Sequence, residues 1–149
     1  MYKKILIPVD DSQASLLAVK EACKIAKSCG ASLYIVHVVD LAQFSWGGHA
    51  YVQTPQINEA SRAVGDKVLE NARQMAQEHG LMVEENILET IGNKIADLLA
   101  KEAKNKHCDL IVMGTHGWTG VMHLLMGSVA EGVLKQVDIP IMLLRKPQE

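Results

Sequence analysis

Aromatic side chains are scarce in this chain of 149 residues, where one Phe, two Trp and three Tyr amount to 4%. The core must therefore come from Val, Ile, Leu, Ala and Met, which the 48% hydrophobic content supplies. Cysteine is sparse as well. Cys23, Cys29 and Cys108 are odd in number and include no C-x-x-C pair, which argues against a disulfide framework and a structural zinc site. They read as small core-type side chains in a reducing compartment. An excess of positive charge is also missing: 15 Lys and Arg against 17 Asp and Glu give a net charge of −2. That balance lacks the footprint of a nucleic-acid binder, and no Lys/Arg run suggests a membrane surface. No apolar stretch approaches spanning length, and Met1-Tyr2-Lys3-Lys4 leads straight into a strand pattern rather than a signal peptide. A cytoplasmic protein is expected, with no nucleic-acid or membrane partner. H-E-x-x-H, G-x-S-x-G and G-x-x-x-x-G-K-[ST] are absent too, so no catalytic residue and no metal-ligating side chain is assigned.

What is present is a regular alternation of apolar runs and helical periodicities. The length fits one domain over 1–149, large enough to bury a substantial core. Ile5 to Val9 reads as a buried strand, followed by a helix beginning near Ser12 and stopping at Gly30. Ser32 to Val39 is a second strand. Ile57, Ala60, Val64, Val68, Ala72 and Met75 share one face of a long helix that stops at Gly80. Met82 to Leu88 is a third strand, and Ile91, Ile95, Leu98, Leu99 and Ala103 mark a third helix. Asp109 to Met113, Ser128 to Gln136 and Pro140 to Leu144 complete the pattern as strand, helix and strand. Such alternation implies right-handed crossovers, hence an α/β doubly wound five-stranded parallel sheet with helices on both faces. If the first and fourth strands are neighbours at the point where strand order reverses, the order is 3-2-1-4-5. Ligands then bind beyond the carboxyl ends of those two strands. The stretch Asp40 to Pro55 breaks the rhythm and holds Phe44, Trp46 and Tyr51. It suits a lid, a partner contact, or simple packing of aromatics onto their own domain.

Five of the eleven glycines fall between Gly114 and Gly132. Gly114 and Gly117 follow the fourth strand, and Gly127-Ser128-Val129 opens the fourth helix. Glycine lets backbone N–H groups approach an anion, and a helix N-terminus presents several of them. Ser128 with Glu131 three residues on has capping-box spacing, so Ser128 is expected as N-cap. Asp10 ends the first strand and fits either a ligand contact or a helix cap. Gly132, inside the fourth helix, points to close helix packing rather than to ligand, and His37 on its apolar strand to a satisfied core histidine.

The pattern Gly114-x2-Gly117-x9-Gly127-Ser128, preceded by Asp109-Leu110-Ile111-Val112-Met113, resembles the nucleotide-binding signature of universal stress proteins. Lys3 to Asp10, Val36-His37-Val38 and Ile139 to Leu144 are also similar to that family, so the resemblance spans nearly the whole chain. It implies an ATP-binding member. By that resemblance Pro8, Val9 and Asp10 lie at the ribose and adenine end, with Asp10 accepting from a ribose hydroxyl. Val38 meets adenine, and Met113 and Gly114 back the ligand. Gly117, Gly127, Ser128 and Val129 present backbone N–H groups to the phosphates, together with the Ser128 hydroxyl. His116 lies within the cradle. Mg2+ is then held through the phosphates. The resemblance further implies a homodimer through Ile139 to Leu144, and a nucleotide-responsive stress or regulatory module acting on an unidentified protein client. Where basic residues often follow the second glycine in the family, this chain has Trp118 to His123, which predicts weaker or more metal-dependent phosphate binding. A slow ATP-hydrolysing enzyme is the alternative. A phosphorylatable receiver fits less well, because Leu88-Glu89 offers no acceptor aspartate.

Overall fold

The computed structural model describes residues 1–40, 55–91, 95–116 and 126–147, with side chains from residue 59 in the second stretch. In chain order the elements are β1 (Lys4–Pro8), α1 (Gln13–Cys29), β2 (Ser32–Asp40), α2 (Pro55–Glu78) and β3 (Val83–Thr90). They continue with α3 (Ile95–Asn105), β4 (Leu110–Gly114), α4 (Ser128–Gln136) and β5 (Ile141–Leu144). The sheet runs β3-β2-β1-β4-β5 with every pairing parallel, as the alternation predicts. The strand order reverses between β1 and β4.

Side-chain alternation on the central strands divides the core in two. Ile5, Ile7, Val9, Leu33 and Ile35 face Ala18, Ala22 and Ala26 of α1 and Leu69, Ala72 and Ala76 of α2. Leu6, Tyr34, Val36, Ile111 and Met113 face Leu99 and Ala103 of α3 and Ala130 and Val133 of α4. Burial on both faces accounts for strand segments that are apolar without interruption. Ser12 caps α1, its side chain accepting from the Ser15 N–H, and Gly30 ends it in the left-handed conformation at φ 72°. Both were legible as capping residues.

Several expected boundaries move. β3 runs two residues beyond Leu88 and begins after Met82, which is exposed. It is an edge strand, and its burial is too incomplete to leave a sharp apolar signal. Ile91 lies after β3 and is exposed, so it is not on the α3 face; that helix begins at Ile95. The loop aromatics Phe44, Trp46 and Tyr51 fall outside the described residues.

Edge strand β3 is dressed with charge. Glu85 pairs with Arg73 at 2.6 Å, Glu89 with Arg62 at 3.5 Å, and Glu84 with both Lys4, at 2.7 Å, and Lys106. Lys106 and then Lys4 hold the Glu84 carboxyl below the ordinary carboxylate range. The same lysines lie 5.4 and 5.2 Å from the centre of the Tyr34 ring, a cation–π arrangement. Tyr34 is fully buried and donates its hydroxyl to Glu102 at 2.7 Å; burial pushes that hydroxyl's pKa well above the ordinary range. Cys23 and Cys108 are buried, and burial raises the Cys108 thiol to about 11, which keeps it protonated at neutral pH.

Helices α3 and α4 meet at Gly132, where an added Cβ would stand 2.6 Å from Cβ of Ala96. The glycine is there for approach, as its place inside a helical pattern suggests. Helix propensity alone favours alanine at this position by about 1 kcal/mol, whereas overpacking costs about 1–3 kcal/mol. Because neither alanine methyl has a rotamer to yield, the clash should win. Gly132→Ala is expected to lower stability by about 1 kcal/mol in denaturant titration, and a gain would show that the helices part freely.

Candidate functional site

The site expected from the sequence assembles at the carboxyl ends of β1 and β4. Pro8 pairs with Val36, and the Val9 N–H donates to the Val36 carbonyl at 2.8 Å, which sets Asp10 beside the end of β2. Ile5 and Leu6 pair with Leu110 and Ile111, so the exit of β4 lies next to that of β1. Asp10 then turns the chain into α1. Its Oδ1 accepts from the Ser12 N–H at 2.8 Å, and its own N–H donates to Ser15 Oγ at 3.0 Å. Asp10 is half-buried. The cap proper is Ser12, so Asp10 braces the turn before the helix and retains a second carboxylate oxygen for which no donor is observed among the described residues.

Across the reversal point, the Thr115 N–H donates to the Leu144 carbonyl at 2.9 Å, holding the exit of β4 to β5. The Gly127 N–H donates to the Thr115 carbonyl at 2.7 Å, which brings the start of α4 onto the same exit. This corrects two expectations. Gly127, not Ser128, is the N-cap, and no side chain caps the helix. The Gly127 N–H is spent on Thr115 and is not among the donors free for an anion. Glu131 follows suit: its N–H donates to the Gly127 carbonyl, while its carboxylate pairs with Lys135 at 3.1 Å instead of reaching back to close a capping box. Glycine at the N-cap sacrifices only a few tenths of a kcal/mol relative to serine. Its benefit is steric, because a Cβ there would lie 2.7 Å from the Thr115 oxygen.

Gly114 has a comparable explanation. A Cβ on it would meet Ala14 Cβ at 2.7 Å, so glycine lets the exit of β4 pass the first turn of α1. Val38 and Met113 are buried at the same end of the sheet, in the core beneath α3 and α4. Ser128 is exposed, and Val129 is half-buried against that core. His116 Nδ1 lies 3.1 Å from Thr115 Oγ1, while its Nε2 is shielded from solvent without a hydrogen-bond partner among the described residues. Gly117, Trp118 and His123 lie outside the described residues.

The arrangement thus brings Asp10, Gly114, His116, Gly127, Ser128 and Val129 to one end of the sheet, over Val38 and Met113. Thr115, Ser15 and Ala14 escaped the sequence reading although they position these residues. Thr115 stands inside the glycine segment, and Ser15 completes a Ser12-x-x-Ser15 cap, so local signals existed for both. Nothing local marks Ala14.

A model of the universal stress protein family matches residues 1–145. The chain belongs to that family. Universal stress protein MJ0531 of Methanocaldococcus jannaschii is 39% identical over 150 residues, covering 100% of this chain and 85% of the relative. The solved structure of protein MJ0577, from the same organism, superposes with a TM-score of 0.76 at 25% identity, covering 100% of this chain and 99% of the other. Two further structures share the fold and were solved with adenine nucleotides. One is a universal stress protein in complex with cAMP, with a TM-score of 0.69, 23% identity and 97% coverage of both chains. The other is from Archaeoglobus fulgidus in complex with dAMP, with a TM-score of 0.68 and 22% identity over 96% of this chain and 98% of that one.

The contact between Gly127 and Thr115 has a direct consequence for this family member. Gly127→Ala must push α4 away from the exit of β4, and a stability loss of about 1–3 kcal/mol is expected in thermal or denaturant unfolding. An unchanged midpoint would show that the helix start is not held there.

Proposed function

We propose that the chain is an ATP-binding universal stress protein, a nucleotide-responsive module that works as a homodimer in the cytoplasm and hands its state to a protein client. The observation that carries this reading is the start of α4 drawn onto the exit of β4, beside Asp10, at the strand reversal. The Ser128, Val129 and Ala130 N–H groups belong to the first helical turn, where backbone donors have no intrahelical acceptor. Such a helix start favours an anion, and the exposed Ser128 hydroxyl adds a donor. His116 supports the same ligand class. Its Nδ1 is engaged by the Thr115 hydroxyl, which leaves Nε2, without a hydrogen-bond partner among the described residues, to meet a ligand.

Pro8, Val9, Asp10, Val38, Met113 and Gly114 form the nucleoside end in this reading, and His116, Gly117, Gly127, Ser128 and Val129 the phosphate end. Gly127 shapes the cradle instead of donating to it. Mg2+ is carried on the phosphates, supplying charge that this chain lacks after Gly117. The relatives solved with cAMP and dAMP lend support by ligand class. Mass spectrometry of small molecules released from the purified protein should find an adenine nucleotide. ATP titration should show Gly117→Val weakened more than tenfold and Ser128→Ala about three- to tenfold. Unchanged affinity in both would remove the phosphate assignment.

The homodimer rests on the contrast between the two sheet edges. β3 presents Glu84, Glu85 and Glu89 with their basic partners, whereas β5 is Ile141-Met142-Leu143-Leu144, with Met142 exposed. An apolar edge invites pairing and a charged one resists it. One adhesive edge per chain gives a closed pair and not a filament. Light scattering at micromolar concentration should report a dimer, and Met142→Lys should shift it to monomer. A monomeric unaltered chain would end this proposal.

A further inference from the structure

His37 is a buried titratable side chain that the site so far leaves unused. It lies on β2, is 9% exposed, and its Nδ1 stands 2.8 Å from the Val9 carbonyl oxygen. A carbonyl only accepts, so Nδ1 carries the hydrogen and donates. The Val9 carbonyl and the Asp10 N–H belong to one peptide group, which is planar and rotates as a unit. That unit is gripped at both ends: His37 from β2 holds its oxygen, and Ser15 Oγ from α1 holds its nitrogen at 3.0 Å. This plane contains the Asp10 Cα, so the clamp fixes the point from which the Asp10 side chain leaves.

Helix α2 supplies an independent observation. Gly65 lies in its middle, where glycine is less favourable than alanine by about 1 kcal/mol. A Cβ there would stand 3.0 Å from His37 Cδ2 and 3.1 Å from Ile87 Cδ1. The glycine therefore leaves room for an imidazole in this place. For filling the core, an aliphatic residue on β2 opposite an alanine on α2 would serve with better helix propensity. What the His37–Gly65 pair adds is a directed N–H.

We propose that His37 is a positioning residue of the nucleotide site, fixing the Val9–Asp10 peptide so that the Asp10 carboxylate faces the ribose. The proposal rests on the adenine-nucleotide reading above. Two substitutions separate shape from hydrogen bonding. His37→Phe keeps a ring and loses the donor. His37→Asn loses volume but places an amide nitrogen the same number of bonds from Cα as Nδ1.

ATP titration, thermal unfolding and amide hydrogen exchange on each variant decide the matter. His37→Phe should weaken ATP binding by about tenfold, and His37→Asn by less than about threefold, even though the asparagine variant, with its cavity, melts lower. In an Asp10→Ala background His37→Phe should cause no further loss of affinity. The Asp10 amide should exchange faster in His37→Phe than in His37→Asn. Affinity that follows melting temperature across the variants, or a full His37→Phe effect without Asp10, would overturn the positioning role. Equal Asp10 exchange in the two variants would overturn the clamp itself. If the unaltered chain binds no ATP, the nucleotide reading fails and the ribose-facing role with it, an outcome distinguishable because the exchange comparison still reports the clamp.

Discussion

Approach closer than a Cβ permits is the constraint on which this end of the molecule depends. Gly114 lets β4 pass Ala14 of α1, Gly127 lets the start of α4 reach the Thr115 carbonyl, and Gly132 lets α4 meet Ala96 of α3. These contacts act in series along one stretch of chain. Release any of them and α4 moves relative to the strand exits, taking the Ser128 and Val129 amides with it. A binding surface made of backbone N–H groups has no side chain that can swing to compensate, so its precision must come from packing.

That dependence explains which features could be read from the sequence. Ile5 to Val9 and Ser32 to Val39 announce buried parallel strands because both faces are covered, and every position is apolar or nearly so. Strand order was legible because the two exits that bear special residues, those of β1 and β4, are neighbours. The N-cap of α4 was misread for an instructive reason. Ser128 and Glu131 satisfy a local rule, yet the cap is selected by the Thr115 carbonyl, which leaves room only for glycine at 127. Gly114 was legible as special, but its packing partner Ala14 comes from the opposite end of the sequence. Local patterns report periodicity and capping chemistry; they do not report which backbone will lie 3 Å from which side chain. β3 shows the same limit at an edge, since partial burial and salt bridges replace the apolar pattern that would fix its ends.

The charged cluster around Tyr34 and the apolar β5 edge are opposite treatments of one problem. A five-stranded open sheet has two edges with unpaired backbone groups. On β3, each of the three glutamates meets a basic partner from a neighbouring element. Exposed ion pairs of this kind add little to stability, about 0–1 kcal/mol each. Their weight lies in specificity, since a second strand docking there would have to desolvate them. Among the described residues no ion pair lies along Ile141 to Leu144.

The energetics of the candidate site argue for distributed recognition. A helix start gives an anion about 0.3–1 kcal/mol when exposed and up to about 2 when partly buried, whereas micromolar binding needs about 8 kcal/mol. With the Gly127 N–H already committed to Thr115, the dipole and the remaining amides leave most of that total to be found elsewhere. Under the proposed nucleotide reading, burial of adenine against the apolar floor, the Asp10 carboxylate and phosphate-bound Mg2+ would supply the rest. Recognition spread so widely, over two strand exits and one helix start, makes occupancy sensitive to how those elements sit together. A ligand held in that manner would report on the packing of the fold itself, which gives the proposed nucleotide-responsive role a physical basis.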